Sequence, residues 1–238
     1  MDAQQIISII IFVVTMAAIM TEKVHRALAA VAGATLLLVC QILDVESLAS
    51  YIDFNTVGIL IGMMLFVSVV KISGLFEYIA IKAAKLSKGK PWIIMILFFI
   101  ITAVLSAFLD NVTTVLLVGP MTIAVTEMLG LNPVPFLITQ ILASNIGGTA
   151  TLIGDPPNIM IGSAAGLSFN DFIVNTGVPA VIIGILTILC FYFIYGRKLH
   201  VTPEKMAAVM ELDENKAIKD KVLLIQSVVV MICVVVAF

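Results

Sequence analysis

Two short stretches of this chain hold residues able to do chemistry in surroundings that otherwise offer none. Residues 109–120 read LDNVTTVLLVGP, and residues 144–162 read SNIGGTATLIGDPPNIMIG. The first supplies Asp110, Asn111 and Thr113. The second supplies Ser144, Asn145, Gly148, Thr149, Thr151, Asp155 and Asn158. These are carboxylates, amides, hydroxyls and bare backbone, the groups that coordinate a small hard cation or hydrogen-bond an anion. They do not form a nucleophile–base pair. His25 and His200 lie far from both stretches, Cys40, Cys190 and Cys233 are scattered through apolar runs, and there is no phosphate-binding loop. The chemistry on offer is binding and coupling rather than enzymatic catalysis. No cofactor is expected beyond a coupling ion, H⁺ or Na⁺.

The elements that carry these residues must lie in a membrane. Of the 238 residues, 61% are hydrophobic and 12% charged, and mean hydropathy is +1.19. Soluble domains carry about 25% charged residues. Seven apolar runs approach the ~20 residues that cross a bilayer: residues 4–20, 27–43, 56–70, 92–109, 112–131, 178–195 and 222–238. The expected fold class is an all-α polytopic membrane protein. The first run follows Asp2 rather than a basic segment, so a cleaved signal peptide is not expected. The three cysteines read as small hydrophobes.

Charge sets the expected orientation. The thirteen Lys and Arg residues fall at 23–26, 71–90 and 197–221, while Asp2, residues 44–55 and residues 168–177 are acidic. Basic loops stay in the cytoplasm. Loops 21–26, 71–91 and 197–221 are therefore expected inside and the N-terminus outside, in the plasma membrane. This segregation also argues against a nucleic-acid partner and leaves membrane lipid as the surrounding solvent.

Runs 92–109 and 112–131 are separated only by Asp110 and Asn111, which makes a helical hairpin with both ends on the cytoplasmic side. It either crosses fully or dips to mid-depth. Its polar tip lacks Lys, Arg, Trp and Tyr anchors, so the re-entrant reading is preferred. Residues 134–167 then read as a discontinuous helix, with halves at 134–146 and 158–167. Residues 147–157 are expected to be unwound, because Pro156 and Pro157 remove donors and Gly147, Gly148 and Gly154 permit unusual torsions. Non-helical backbone at membrane depth is tolerated only when protein shields it or it lines a cavity. A broken helix beside a polar hairpin tip is how secondary transporters build midplane sites.

On these two motifs the chain resembles the ion transporter superfamily, over nearly all of residues 20–200. The likeness is nearest to the arsenite-pump membrane subunit, the melanosomal P protein and citrate-transporter-like permeases, and more distant to the divalent anion/sodium symporters. The resemblance implies two inverted repeats, each with a re-entrant hairpin and a broken helix, an elevator-type movement and a homodimer. It implies a secondary active transporter of a small inorganic or carboxylate anion of the arsenite, citrate or dicarboxylate class, coupled to H⁺ or Na⁺. Alternatives are a Na⁺/H⁺ antiporter-like exchanger and a transport-inactive half-molecule acting as a membrane scaffold or assembly partner. By position, Asp110, Asn111 and Thr113 match the hairpin signature, and Gly148, Thr149, Thr151, Asp155 and Asn158 match its partner loop. Asn111, Gly148 and Thr149 are the implied sodium candidates. Asp110 stands where the symporters carry Ser, and Asp155 where they carry Thr, which favours cation or proton handling.

The expected organisation is a first span and basic loop at 1–26, a first repeat at 27–196, a charged linker at 197–221, and the start of a second repeat at 222–238. A C-terminal half is expected to complete the transporter. Several residues also have plainer readings. Asp110 and Asp155 would each serve as helix N-caps. Asn111 and Asn158 would satisfy local turns, and threonines often bond back to their own helix. The Gly58/Gly62 pair fits a close helix contact, residues 74–90 an interfacial amphipathic segment, and residues 203–221 a cytoplasmic helix.

Overall fold

The computed structural model describes residues 2–46 and 48–237, with backbone alone for 235–237. Every regular element among the described residues is helical. The chain forms two compact units, residues 1–54 and 55–238. In the first, α1 (Ala3–Met20) packs on α2 (Arg26–Val39), with the buried Gly33 of α2 against the Thr15 side chain. No residue of α1 is buried, and Phe12 and Val14 stand open. In water such a face would be a liability; against lipid tails it is the required surface.

The second unit opens with α3 (Phe54–Ser73) and α4 (Leu75–Leu86). The hairpin follows as α5 (Pro91–Ser106) and α6 (Asn111–Leu129), with residues 107–110 as its tip. Pro91 occupies the first turn of α5, where a missing N–H costs nothing. Gly130, left-handed at φ 67°, ends α6. The arms pack with α7 (Val134–Thr149) around Ile94, Met95, Phe98, Val125 and Phe136, all nearly inaccessible. After the break come α8 (Pro156–Ala165), the short α9 (Phe169–Phe172), a π-helical turn at Ile173–Gly177, and α10 (Val178–Ile194). The charged linker carries α11 (Pro203–Met210) and a 3₁₀ turn at Glu214–Ala217, and α12 covers Lys221–Ala237. Among the described residues, four helical stretches are long and apolar enough to cross a bilayer: Ala3–Met20, Phe54–Ser73, Asn111–Leu129 and Phe169–Lys198. This is a multi-pass membrane protein.

Four expectations need correction. The unwound stretch is 150–155 rather than 147–157: α7 runs through both Gly147 and Gly148, and Pro156 and Pro157 begin α8. Residues 168–177 are not a loop. Ser168 and Asp171 form a reciprocal cap, with bonds of 2.8 and 3.3 Å, and the chain continues helically into α10. The linker is not one helix, because Val209 is fully buried in the core and Asp213 bonds the Asn215 N–H at 3.0 Å to start a separate turn. Finally, no atom lies within 4 Å of a Cβ built on Gly58 or Gly62, so that pair packs on nothing among the described residues.

Candidate functional site

The hairpin tip and the broken helix meet because three glycines let backbones touch. A Cβ on Gly147 would overlap the Ala103 carbonyl of α5, and one on Gly148 would overlap the Asn111 amide. A Cβ on Gly154 would lie 2.8 Å from the Ser106 carbonyl oxygen. None of these three has a positive φ. Their contribution is missing volume, not the unusual torsion expected from sequence.

Thr151 locks the break to the hairpin. Its hydroxyl donates to the Ala107 carbonyl at the tip and accepts from the Gly154 N–H at 3.1 Å. Asn158 staples the break from the other side, its amide donating to the carbonyls of Gly148 (3.1 Å) and Thr151 (2.8 Å). Irregular backbone thus finds partners within the protein, as membrane depth demands.

The two carboxylates behave differently. Asp110 accepts from the Thr113 N–H at 2.9 Å and is a true N-cap of α6. It also lines a cavity of about 160 Å³ with Leu60, Met63 and Met64 of α3 and with Ile153, Pro156 and Ile159. Asp155 holds the N-cap position of α8 but makes no side-chain cap bond. Instead it accepts from Asn111 Nδ2 at 3.1 Å, across 44 residues of sequence. The same nitrogen donates to Asn145 Oδ1 at 3.2 Å. Asn111, Ser144 and Asn145 line a second, open groove of about 260 Å³ with Val112, Val115, Leu116 and Ile141.

The sequence-selected residues therefore separate into groups. Asn111, Asn145 and Asp155 share one hydrogen-bonded cluster. Gly148, Thr151 and Asn158 build the break that holds it, and Ser144 contributes its carbonyl. Asp110 and Thr113 form a cap facing a different cavity. Thr149 is exposed and bonds back to the Ile146 carbonyl at 2.9 Å. One member escaped sequence reading. Ser106, fully buried in the last turn of α5, donates toward Asn111 Oδ1 (2.8 Å) and the Ser144 carbonyl (2.7 Å). Its only signal was a hydroxyl four residues before Asp110, in an arm whose one other hydroxyl is that of Thr102.

The citrate transporter family matches residues 16–238. The chain belongs to that family. Among individual proteins, a 46 kDa membrane protein of Mycobacterium leprae (strain TN) is 43% identical over 237 residues, 98% of this chain and 55% of that protein. An uncharacterized transporter of Mycobacterium tuberculosis (strain ATCC 25618 / H37Rv) is 40% identical over 237 residues, with the same coverage. The P protein of Homo sapiens is 44% identical over 200 residues, 77% of this chain and 23% of that protein. The chain spans about half the length of the mycobacterial relatives.

Proposed function

We propose that this chain forms one wall of the substrate and ion site of a secondary transporter for a small anion or oxyanion, of the arsenite, citrate or dicarboxylate class. Its coupling ion is H⁺ or Na⁺, and Asp155 is the coupling carboxylate. The observation that carries the reading is the Asn111–Asp155 hydrogen bond, which ties the hairpin tip to the unwound segment at a carboxylate left free of any capping duty. An ionisable group inside a membrane protein costs at least about 2.5 kcal/mol to insert. A neutral side chain would hold the same turn without that cost.

In this reading the hairpin is re-entrant, since Ala107, Ser106 and Asn111 around its tip bond Thr151, the Ser144 carbonyl and Asp155 rather than interfacial anchors. The basic loops face the cytoplasm of the plasma membrane. A homodimer of two-repeat protomers moves by an elevator-type displacement, and the second repeat supplies the facing wall of the site. The test is gradient-driven uptake of arsenite, citrate and a dicarboxylate by the full-length protein in proteoliposomes, under H⁺ or Na⁺ gradients. Accumulation of one of them is expected, falling to the leak rate in Asp155→Asn. No accumulation of any of the three, or full accumulation in that variant, overturns the assignment.

A further inference from the structure

On the side of the hairpin away from α6, α5 and α10 leave a gap between them. α10 runs antiparallel to α5 and packs on α7, but it stands off α5. The register is even along their length. Trp92 meets Tyr192 with ring centroids 5.2 Å apart, a Cβ on Gly184 would lie 3.6 Å from the Phe99 ring, and Ala103 and Ala180 face one cleft. That cleft holds about 420 Å³. Small residues keep it open: Ala103 and Ala107 from the hairpin, Gly147 and Ala150 where α7 ends, Ala180 and Gly184 of α10. Val104, Val181 and Ile185 form exposed apolar rims. Every lining side chain is apolar, so water gains no hydrogen bonds from them, whereas a hydrocarbon chain fills the space at no polar cost.

The cleft has a basic end. Phe99 and Ile188 line both it and a smaller cavity that reaches Trp92. Trp92 also lies against Gly196, where a Cβ would come 3.1 Å from the indole. Arg197 then sits over the rings of Tyr192 and Phe193, 6.0 and 5.4 Å from their centroids. No Lys, Arg or His occurs between Lys90 and Arg197, so the cations that bound this long apolar stretch arrive together at one end of the cleft. Lys90, Arg197 and Lys198 are exposed, and none of them joins an ion pair among the described residues. Aromatic rings beside unpaired basic side chains mark the headgroup level of a bilayer. A guanidinium stacked on two rings holds its fork of donors ready for a phosphate. From Trp92 to Ala107 the wall rises about 22 Å at ~1.5 Å per residue. One leaflet with its headgroup layer is half of about 40–45 Å.

We propose that the α5–α10 cleft is a phospholipid site. One acyl chain lies along Phe99, Ala103 and Gly184, and the phosphate of an anionic headgroup sits on Arg197 with Lys90 and Lys198 beside it. A helix is about 10–12 Å across and cannot enter a slot that closes to ordinary contact at Gly184 and Phe99. The floor of the slot is Gly147 and Ala150, so the lipid props the point where α7 gives way to the unwound segment. The inference rests on the multi-pass membrane fold and not on the transport reading.

The experiment titrates the melting temperature of delipidated full-length protein in detergent with three probes: dioleoyl phosphatidylglycerol, dioleoyl phosphatidylcholine and dihexanoyl phosphatidylglycerol. The first is expected to stabilise saturably, with a half-effect concentration about tenfold below the other two. Arg197→Gln, at an exposed position that keeps the fold, raises that concentration about tenfold for dioleoyl phosphatidylglycerol and leaves phosphatidylcholine unmoved. Tenfold is about 1.4 kcal/mol, close to one hydrogen bond between charged groups. Gly184→Leu fills the slot and abolishes the response to both dioleoyl lipids. Equal stabilisation by all three lipids, unmoved in Arg197→Gln, would be annular lipid only and overturns the proposal. So does a short-chain lipid that matches its dioleoyl counterpart, because the headgroup would then bind without the cleft. A Gly184→Leu protein that melts below wild type before any lipid is added has displaced a protein helix from the slot, which overturns it as well.

Discussion

At the scale of single residues, two aspartates that look alike in sequence have different duties. Each precedes a helix, so capping was the plain reading of both. Asp110 confirms it, with its Thr113 bond at 2.9 Å. Asp155 does not, since its side chain reaches Asn111 instead. Asn caps about as well as Asp, whereas Ala costs about 1 kcal/mol. Asp110→Asn is therefore expected to leave the melting temperature of the full-length protein nearly unchanged and Asp110→Ala to lower it by that equivalent. Equal loss in both variants would mean that the charge itself, not the cap, stabilises the tip. Residue types singled out Asn111, Asn145 and Asp155, which the structure joins by hydrogen bonds, because amides and carboxylates in an apolar chain are costly and so informative. Spacing did not reveal which carboxylate faces which cavity, a matter of where side chains point once α5, α6 and α7 pack. Ser106 stayed hidden because a single serine in a membrane helix usually bonds its own backbone.

At the scale of elements, the break was legible and its edges were not. Pro156 and Pro157 punctuate any helix, but they do so here as the first turn of α8, which is where proline is tolerated. Gly147 and Gly148 were read as helix breakers, yet the helix passes through them. At an interface of helices packed this closely, absent volume stabilises more than glycine's weak helix propensity costs. That distinction is testable. Gly147→Ala would press a methyl group into the Ala103 backbone, which has no side chain to move aside. A loss of about 1–3 kcal/mol is expected from such overpacking. Gly58→Ala and Gly62→Ala meet nothing within 4 Å, so they should be neutral or stabilise by up to about 1 kcal/mol through helix propensity. Melting temperatures of the three variants in the full-length protein check both claims. A marked drop for Gly58→Ala would show that a helix outside this chain packs against α3.

At the scale of the whole second unit, the charged linker is a clasp on the base of the hairpin rather than a tether. Gly74 adopts φ 83° because the Ala217 carbonyl occupies the space a side chain would need, and the Lys219 N–H donates to the Ser73 carbonyl at 3.1 Å. The Lys205 ammonium rests on Gly130 at the C-terminal end of α6, where the helix dipole favours a cation. Lys85 of α4 pairs with Glu214, both partly exposed, and Lys219 reaches Glu77 at 3.8 Å. The hydrogen bond from Lys85, with a smaller contribution from the backbone N–H of Glu214, holds the Glu214 carboxyl below its ordinary value. A carboxyl lowered in the folded state stabilises docking fully above its unfolded value, near 4.3, and that contribution fades as pH falls through the lower folded value. Cleavage of residues 203–217 by pepsin, which works in acid, should therefore accelerate as pH drops from about 4.5 toward 3. In Glu214→Gln the charge is absent at every pH, so cleavage should start faster and lose this acid dependence. An unchanged acid profile in that variant would place the acid-sensitive contact outside the Lys85–Glu214 pair.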